Sequence, residues 1–312
     1  MIEHAGRVFF NLLAQSRALK KLASRYGTRR PTSFARRFIA GETIPDAIQA
    51  AQALHARGLT HTLDLLGERA TSLHRADEAT REYLRVVDAI SGAGIDRNIS
   101  LKLTQLGLDI DKACTIDNLR KILERAESAG FFVRIDMENS PYTAATLDVF
   151  KTLWTLGHRQ IGVVLQASLY RSEGDLEEIN ALGARVRLVK GAYQEPKSVA
   201  YQKKADVDAS FARMIQVLFR SGHYPAIATH DPKMIDLSLQ LAREHRLGTD
   251  GFEFQMLYGV RRDLQSKLAN KGYRVRIYLP FGREWFPYFM RRLGERPANV
   301  MFVIRGIVRE TR

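Results

Sequence analysis

The sequence predicts an α/β fold: a (βα)8 TIM-type barrel with an N-terminal helical extension. The first observation behind this prediction is a regular alternation, beginning near residue 59, of short strand-like runs with longer amphipathic stretches. The second is that eight such runs occur, and strands separated by helices pair in parallel through right-handed crossovers. The third is length. The chain has 312 residues, and a barrel of this kind needs roughly 250, which leaves a short extension.

The predicted strands are short, and glycine often follows the helices between them, as at Gly130, Gly157 and Gly222. The strands are predicted at 60–66, 98–103, 131–137, 162–166, 186–190, 226–229, 252–257 and 275–279. The helices between them are predicted at 76–91, 116–129, 142–156, 176–184, 198–221, 232–245 and 260–271. This pattern places the barrel at residues 58–312 and a helical arm at residues 1–57.

Two helices are predicted in the arm. Residues 5–25 place Val8 and Leu12 at near-helical spacing with later leucines. A second helix has Pro45 in its first turn and Gly58 just past its end, which is the usual polarity of these two residues. We interpret the arm as packing against the barrel, and a surface helix for a membrane or a partner is the alternative.

An open, doubly wound sheet is the main rival fold. As a nucleotide binder it would carry G-x-G-x-x-G between a strand and a helix. The nearest match, at residues 92–94 (GAG), lacks the third glycine and precedes a strand, and no Walker loop is present. The sequence therefore predicts neither of these nucleotide sites.

The charge balance is strongly basic, with a formal net charge of +14 and a pI of about 10.0. From Gly259 onward, 13 Lys and Arg stand against 4 Asp and Glu, a local net charge of +9. Such a surface suits nucleic acid, an anionic membrane or anionic substrates, or it is simply solvated.

No secretory signal and no run of about 20 apolar residues is apparent, and the single Cys114 excludes an intrachain disulfide. We expect a cytoplasmic protein, with peripheral contact at the inner face of the membrane as a further option.

Polar side chains gather at the predicted carboxyl ends of the strands. In a barrel of this class, catalytic residues come from those ends, and interior charges are costly unless paired or functional. Each residue alone has a structural explanation, so the argument rests on their convergence. The polar groups are Glu68, Lys102, Asp136, Glu138, Gln166, Arg187, Lys190, His230, Glu253, Gln255 and Tyr278.

The last predicted helix carries a polar stripe. Tyr288, Arg291, Arg292 and Glu295 are spaced at i, i+3, i+4 and i+7 and therefore share one helical face. Two adjacent arginines opposite Lys102 would hold a small carboxylate, because guanidinium matches carboxylate in a bidentate fork. A solvated helix end with an Arg291–Glu295 pair is the alternative.

The segment Tyr278-x-Pro280-x-Gly282, followed by this stripe and by Asn299, resembles the C-terminal signature of the proline dehydrogenases. Six further blocks are similar to motifs of that family in the same order. They lie at residues 65–68 (LLGE), 100–107 (SLKLTQLG), 135–138 (IDME), 165–167 (LQA), 187–193 (RLVKGAY) and 228–230 (ATH). The resemblance covers about residues 60–305 and implies the same barrel.

The resemblance implies a non-covalent FAD and assigns roles by position. Lys102, Arg291 and Arg292 would hold the proline carboxylate, and Asp136 would keep these cations aligned. Arg187 would contact the flavin ring near its reactive nitrogen and stabilise the reduced, anionic form. We therefore expect Asp136 and Arg187 to be the catalytic residues. No metal is expected.

The remaining roles also follow from the resemblance. Tyr278 would pack over the proline ring together with Leu257 and Tyr288, which leaves little room for a hydroxyl group on the ring. Glu68 would pair with Arg291 as a gate over the bound substrate. The other residues expected to contact the flavin are Met137, Gln166, Lys190, Gly191, Ala192, Thr229, His230 and Glu295.

The implied reaction is the oxidation of L-proline to 1-pyrroline-5-carboxylate by hydride transfer to FAD, the first step of proline catabolism. A quinone would accept the electrons. Because no fused aldehyde dehydrogenase module follows the barrel, a separate 1-pyrroline-5-carboxylate dehydrogenase would act next. Phe281 stands where some relatives carry Tyr, and we interpret this as a change at the surface or behind the site.

Two other functions stay open on the residues alone. A Schiff-base aldolase on the same barrel would use Lys102 or Lys190 as its amine. A basic module for nucleic acid or anionic lipid would use the C-terminal charge. No nucleic-acid motif accompanies this charge, and we expect no nucleic acid to bind. A weaker form of the lipid hypothesis is compatible with the enzyme, since quinones reside in membranes.

Overall fold

The structure, a computed structural model, describes residues 34–295, with side chains from residue 35 to residue 292. The helix predicted at 5–25, Asn299 of the signature and the side chain of Glu295 lie outside these residues. The boundary between arm and barrel at residue 57 stays a prediction.

Eight parallel strands close into a barrel in the order β1 to β8, which confirms the predicted fold. The strands are Thr60–Leu65 (β1), Asn98–Leu101 (β2), Phe132–Ile135 (β3), Ile161–Gln166 (β4), Arg185–Val189 (β5), Ala226–Ala228 (β6), Glu253–Leu257 (β7) and Val275–Phe281 (β8). Strands β1 and β8 pair over six residues, from Thr60 opposite Arg276 to Leu65 opposite Phe281. This pairing closes the sheet and leaves no exposed edge.

Each strand is followed by one helix, and an additional helix, α1, precedes β1. The helices are Ile44–His55 (α1), Leu73–Ser91 (α2), Lys112–Ser128 (α3), Ser140–Thr155 (α4), Ser172–Ala181 (α5), Lys204–Ser221 (α6), Pro232–Glu244 (α7), Arg262–Asn270 (α8) and Trp285–Glu295 (α9). Helix α1 begins at a capping box in which Thr43 and Asp46 satisfy each other's backbone N–H groups, and Pro45 lies in its first turn, as predicted.

Several predicted boundaries were wrong. The second strand ends at Leu101, and Leu103–Leu106 form a 3-10 turn because Gly107, at φ 108°, donates its N–H to Leu103. Helix α6 begins at Lys204 and not at residue 198. The preceding residues form a loop whose backbone bonds to the β4–α5 connection, for example from Tyr201 to Ser168.

Strand β8 is longer than predicted, because its last residues pair with the end of β1. Pro280 has no N–H to donate, but its carbonyl accepts from the N–H of Ala40 at 2.9 Å. Phe281 is only 1% exposed, which excludes the surface alternative and leaves a change behind the site as the interpretation. Its ring is part of the apolar core.

The apolar core surrounds the barrel, and a second, smaller cluster lies beside helix α9. The segment 35–42 passes along the end of β8, and the Trp285 indole N–H donates to Glu42 Oε1 at 3.0 Å. This segment therefore holds α9 against the barrel. The buried members of the second cluster are Ala35, Phe38, Ile39, Leu66, Trp285, Phe286, Tyr288, Phe289 and Met290.

The interior of the barrel leaves no room for a side chain at Gly162 of β4. An added Cβ would lie 2.5 Å from the Arg185 carbonyl oxygen, 2.6 Å from an Arg134 guanidinium nitrogen and 2.8 Å from the Phe132 ring. We expect Gly162→Ala to lower the free energy of unfolding by about 1–3 kcal/mol, the usual cost of overpacking. Urea denaturation monitored by circular dichroism measures this change.

The matched control is Gly174→Ala in helix α5, where an added Cβ meets nothing within 4 Å. Alanine suits a helix better than glycine by roughly 0.5–1 kcal/mol, so this variant should be as stable as wild type or slightly more so. Equal stability of the two variants would contradict the packing argument for Gly162.

Candidate active site

A cluster of four polar side chains occupies the carboxyl end of the barrel. Asp136, just past β3, accepts a hydrogen bond from Arg187 Nη1 of β5 at 2.7 Å through Oδ1. Its Oδ2 accepts from the Tyr278 hydroxyl of β8 at 2.6 Å and from Lys102 Nζ, just past β2, at 3.4 Å. These elements are not all neighbours in the sheet, so the side chains meet across the interior of the barrel.

The structure adds Asp64 of β1 to this cluster. Asp64 Oδ1 accepts from Lys102 Nζ at 2.8 Å, the shortest of the polar contacts made by that ammonium group. The sequence analysis missed Asp64 because it lies within strand β1, before the block at residues 65–68. The alternation along β1 could have identified it, since Thr62 is also polar and residues two apart face the same side of a strand.

Two hydroxyl groups lie beneath the cluster. Arg187 Nη2 donates to Ser100 Oγ at 2.9 Å, and Ser100 Oγ lies 2.9 Å from Thr62 Oγ1. The Arg187 guanidinium also lies over the Tyr278 ring, with Cζ 5.4 Å from the ring centroid. These contacts hold Arg187 in one orientation.

The protonation states follow from burial and pairing. Burial raises the pKa of Asp64, and Lys102 opposes that rise. Burial disfavours the charge on Lys102, but the carboxylates of Asp64 and Asp136 outweigh this and raise its pKa above the ordinary value. Burial and Asp136 raise the pKa of Tyr278 well above its ordinary value. At neutral pH, Lys102 is therefore a cation and the Tyr278 hydroxyl keeps its proton.

The two lysines proposed for imine chemistry are both in ion pairs. Lys102 lies between Asp64 and Asp136. Lys190 Nζ lies 2.5 Å from Asp208 and 2.7 Å from Asp231. An amine nucleophile must be neutral, so these pairs argue against the Schiff-base aldolase.

The ends of β5 and β6 carry the residues expected to contact the flavin. Gly191 adopts φ +107°, and a Cβ there would lie 2.2 Å from Ser168 Oγ, so this backbone tolerates only glycine. His230 Nε2 accepts the backbone N–H of Leu257 at 3.0 Å, which orients its ring and assigns its proton to Nδ1. Thr229 Oγ1 accepts the backbone N–H of Asp231.

The other expected flavin contacts lie nearby but differ in exposure. Gln166, at the end of β4, is buried and donates from Nε2 to the Glu138 carbonyl oxygen at 2.9 Å. Met137 is buried, whereas Ala192 is exposed in the loop after β5. The Glu138 carboxylate bonds to the backbone N–H and the hydroxyl of Thr104, so it supports the 3-10 turn after β2.

The two arginines of helix α9 differ in exposure, which their spacing along the helix did not predict. Arg292 is buried, and its guanidinium lies 5.1 Å from the centroid of the buried Tyr288 ring. Arg291 is exposed, as is Glu68 beyond β1. The pairing of Glu68 with Arg291 stays a prediction.

Tyr193 in the loop after β5 is a further residue of this region that the sequence analysis did not single out, although the block at residues 187–193 contains it. Lys102, Asp136, Glu138 and Arg291 all act electrostatically on its hydroxyl. Its side chain is 43% exposed. Tyr193 is therefore partly exposed and close enough to these charges to be influenced by them.

A second set of charges lies at the amino end of the barrel and has a structural role. Glu253, at the start of β7, accepts from Arg276 Nε at 2.9 Å and 3.0 Å. Arg276 also bonds to Asp96 and to the His61 carbonyl oxygen. The prediction that Glu253 belongs to the active-site end was wrong, because it lies at the opposite end of its strand.

Residues 34–295 contain neither a metal-binding cluster nor a helix that could span a membrane. No cluster of three or more His, Cys, Asp or Glu side chains there is arranged to bind a metal ion. None of the helices in that part of the chain combines the length and the apolar character needed to cross a membrane.

The fold and the site define a (βα)8-barrel protein with a buried cluster of paired charges at the carboxyl end of its strands. The family model for proline dehydrogenase matches residues 47–305. The chain is 42% identical over 304 residues to proline dehydrogenase 2 of Bacillus subtilis (strain 168), covering 97% of this chain and 99% of that protein. It is 43% identical over 281 residues to the proline dehydrogenase of Deinococcus radiodurans, covering 89% and 91%. The chain belongs to the proline dehydrogenase family.

Larger proteins contain the same fold. Proline utilization A (PutA) from Bdellovibrio bacteriovorus, solved after inactivation by N-propargylglycine, matches with a TM-score of 0.77 and 27% identity. The match covers 83% of this chain and 32% of that one. The bifunctional protein PutA of Escherichia coli (strain K12) is 28% identical over 312 residues, with 24% of its length covered. The chain thus spans about a third or less of these proteins.

His61 of β1 generates a prediction about pH. It is fully buried, and burial lowers its pKa to about 4, whereas an unfolded histidine titrates near 6.5. As pH falls from 6.5 towards 4, the unfolded chain takes up a proton that the folded chain does not, so folded stability is lost. The loss amounts to at most about 3 kcal/mol. We expect His61→Leu to reduce the fall in unfolding free energy between pH 7 and pH 5, measured by urea denaturation.

The control is His245→Leu, at the exposed end of helix α7. This variant should keep the pH dependence of the wild type. If His61→Leu and His245→Leu lose stability equally on acidification, the neutral state of His61 is not what makes the fold acid-sensitive.

Proposed function

We propose that this chain oxidises L-proline to 1-pyrroline-5-carboxylate by hydride transfer to a non-covalently bound FAD. The observation that carries the proposal is the convergence of Lys102, Asp136, Arg187 and Tyr278 at one end of a barrel whose sequence belongs to the proline dehydrogenases. Oxidation of the ring would be the first step of proline catabolism.

The substrate carboxylate is assigned to Lys102, Arg291 and Arg292. Lys102 is charged and partly accessible, with 23% of its side chain exposed. The exposed Arg291 is free to approach a ligand from the solvent side, and the buried Arg292 is held over Tyr288. A carboxylate paired with several cations gains charge-assisted hydrogen bonds.

The proline ring is assigned to Tyr278, with Leu257 and Tyr288 beside it. The Tyr278 hydroxyl is fixed by Asp136, and Arg187 lies over its ring. This ring therefore forms a rigid wall, which supports selectivity for proline over hydroxyproline. Asp136 already accepts donors on both oxygens, so its catalytic contribution is to orient Arg187 and Tyr278.

Buried polar groups with spare bonding capacity fit a flavin. Arg187 Nε is buried with no hydrogen-bond partner, and the glycine-only backbone at Gly191 permits close approach of a planar ligand. The residues that would hold FAD are Met137, Gln166, Arg187, Lys190, Gly191, Ala192, Thr229, His230 and Glu295. When bound, the flavin accepts the hydride and passes electrons to a quinone-type acceptor.

The chain's own groups supply positioning and electrostatics. Arg187 keeps its positive charge at any working pH, so it offers a constant positive field where negative charge develops. The Tyr278 ring, packed against the Arg187 guanidinium, would limit access of water to that side of the cluster. Lys102 compensates the substrate carboxylate, which leaves the proline nitrogen as the group that must lose a proton before the ring can be oxidised.

The partners are inferred from the chemistry. The quinone acceptor resides in membranes, and the net charge of +14 suits peripheral contact with an anionic inner face. Sedimentation with anionic liposomes at low salt tests this contact, and absence of the protein from the pellet would reject it. A separate 1-pyrroline-5-carboxylate dehydrogenase would consume the product.

The purified protein should carry FAD, released intact by denaturation, and its visible absorption should bleach on anaerobic addition of proline.

Arg292→Met should raise the KM for proline at least about tenfold with a smaller change in kcat, because a charge-assisted bond to the bound substrate is lost. Absorption spectroscopy and steady-state kinetics with a soluble quinone analogue provide both measurements.

The control is Arg220→Met, in the last turn of helix α6 at the amino end of the barrel. It removes the same charge far from the site and should leave the KM unchanged. A folded wild-type protein that neither binds FAD nor reacts with proline would reject the proposed function. An unchanged KM in Arg292→Met would reject only the role of Arg292.

A further inference from the structure

Asp64 has the most demanding environment of the carboxylates around Lys102. It is fully buried, and its Oδ1 lies 2.8 Å from Lys102 Nζ. Its Oδ2 is buried and has no hydrogen-bond partner. Removing a carboxylate from water costs several kcal/mol unless a partner compensates it, so the Asp64 charge depends on Lys102.

Asp136 depends on Lys102 much less. It receives Arg187 at 2.7 Å and Tyr278 at 2.6 Å, and Lys102 approaches it only to 3.4 Å. The contact between Lys102 Nζ and the Tyr278 oxygen is also 3.4 Å. An ammonium group has three donors, and here one is in a short bond and two are in long ones.

From this asymmetry we infer that Asp64 is the positioning residue of the carboxylate clamp. It holds the Lys102 ammonium at the short contact, while the two long contacts give way to the substrate carboxylate. The inference rests on the proposed role of Lys102 and goes beyond it, because it states what keeps that cation in place.

Removal of the Asp64 charge would change the position of the Lys102 ammonium group. Lys102 would turn towards Asp136, its remaining carboxylate partner, and compete there with Arg187 and Tyr278. The ammonium would then be withdrawn from the substrate, and the orientation of the Tyr278 ring would loosen. Both effects weaken substrate binding, whereas Arg187 keeps its bond to Ser100.

The test is Asp64→Asn in the flavin-loaded protein. We expect the KM for proline to rise about tenfold and kcat to change less than about threefold, since ground-state binding is the property affected. Affinity for cyclopentanecarboxylate, a ring carboxylate without a nitrogen to oxidise, should fall by a similar factor in isothermal titration calorimetry. A merely structural role would reduce the active fraction and leave KM and affinity unchanged.

A double-mutant cycle separates an effect through Lys102 from a general one. In the Lys102→Met background, Asp64→Asn should change the affinity for cyclopentanecarboxylate less than about twofold. The matched control is Asp96→Asn, which removes a carboxylate paired with Arg276 at the opposite end of the barrel. That variant should keep the wild-type KM.

If Asp64→Asn does not fold, Asp64→Glu keeps the charge and moves the carboxylate by one methylene group. It should also raise the KM, because the short contact to Lys102 is lost. A wild-type KM in either folded variant overturns the inference, as does an equal effect of Asp64→Asn with and without Lys102.

The two proposals fail in different ways. If the wild type binds cyclopentanecarboxylate through Lys102 and Asp64 but does not oxidise proline, the proposed function fails and the positioning role stands. If the wild type oxidises proline and the Asp64 variants bind both ligands normally, the positioning role alone fails.

Discussion

One carboxylate joins side chains from distant parts of the barrel. Asp136 accepts Arg187 of β5 at 2.7 Å and Tyr278 of β8 at 2.6 Å. Burying the Arg187 guanidinium without such a partner would cost several kcal/mol. The three side chains meet only when the barrel closes, and the closed barrel can bury them only because their charges pair. The orientations of the Tyr278 ring and of the Arg187 guanidinium follow from these two bonds, whereas Lys102 makes its shorter contact with Asp64.

The interior contains two polar layers with different properties. At the amino end, both Glu253 oxygens accept from Arg276, and Arg276 bonds further to Asp96. At the carboxyl end, Arg187 Nε and Asp64 Oδ2 are buried without a hydrogen-bond partner. The lower layer also contains buried polar atoms without a partner, such as Arg134 Nε and both His61 ring nitrogens. The layers differ in their position: the upper layer lies at the carboxyl ends of the strands, where barrels of this class place their active sites.

Local patterns predicted much of the barrel and part of the site. Strand runs such as 60–66 and 226–229 fell on real strands, because period-two patterns and flanking glycines are local properties. Helix α6 began later than predicted, since the backbone of residues 199–201 bonds to the β4–α5 connection, a contact that no local pattern encodes. Glu253 and Asp64 were the main errors in the site. Glu253 is at the start of β7 and therefore at the amino end of the barrel, and the contact that makes Asp64 part of the site joins two different strands.

By itself, the sequence determined that eight strand–helix units follow one another and that Lys102, Asp136, Arg187 and Tyr278 are available near strand ends, because periodicity and residue type are written in the order of the chain. Only the tertiary structure decided which of these groups meet. It paired Lys102 with Asp64 and gave both Asp136 oxygens to Arg187 and Tyr278. It also buried Arg292 while leaving Arg291 exposed. The physical reason is that closure of the barrel sets the distances between side chains on non-neighbouring strands, and the strengths of their interactions depend on those distances and on burial.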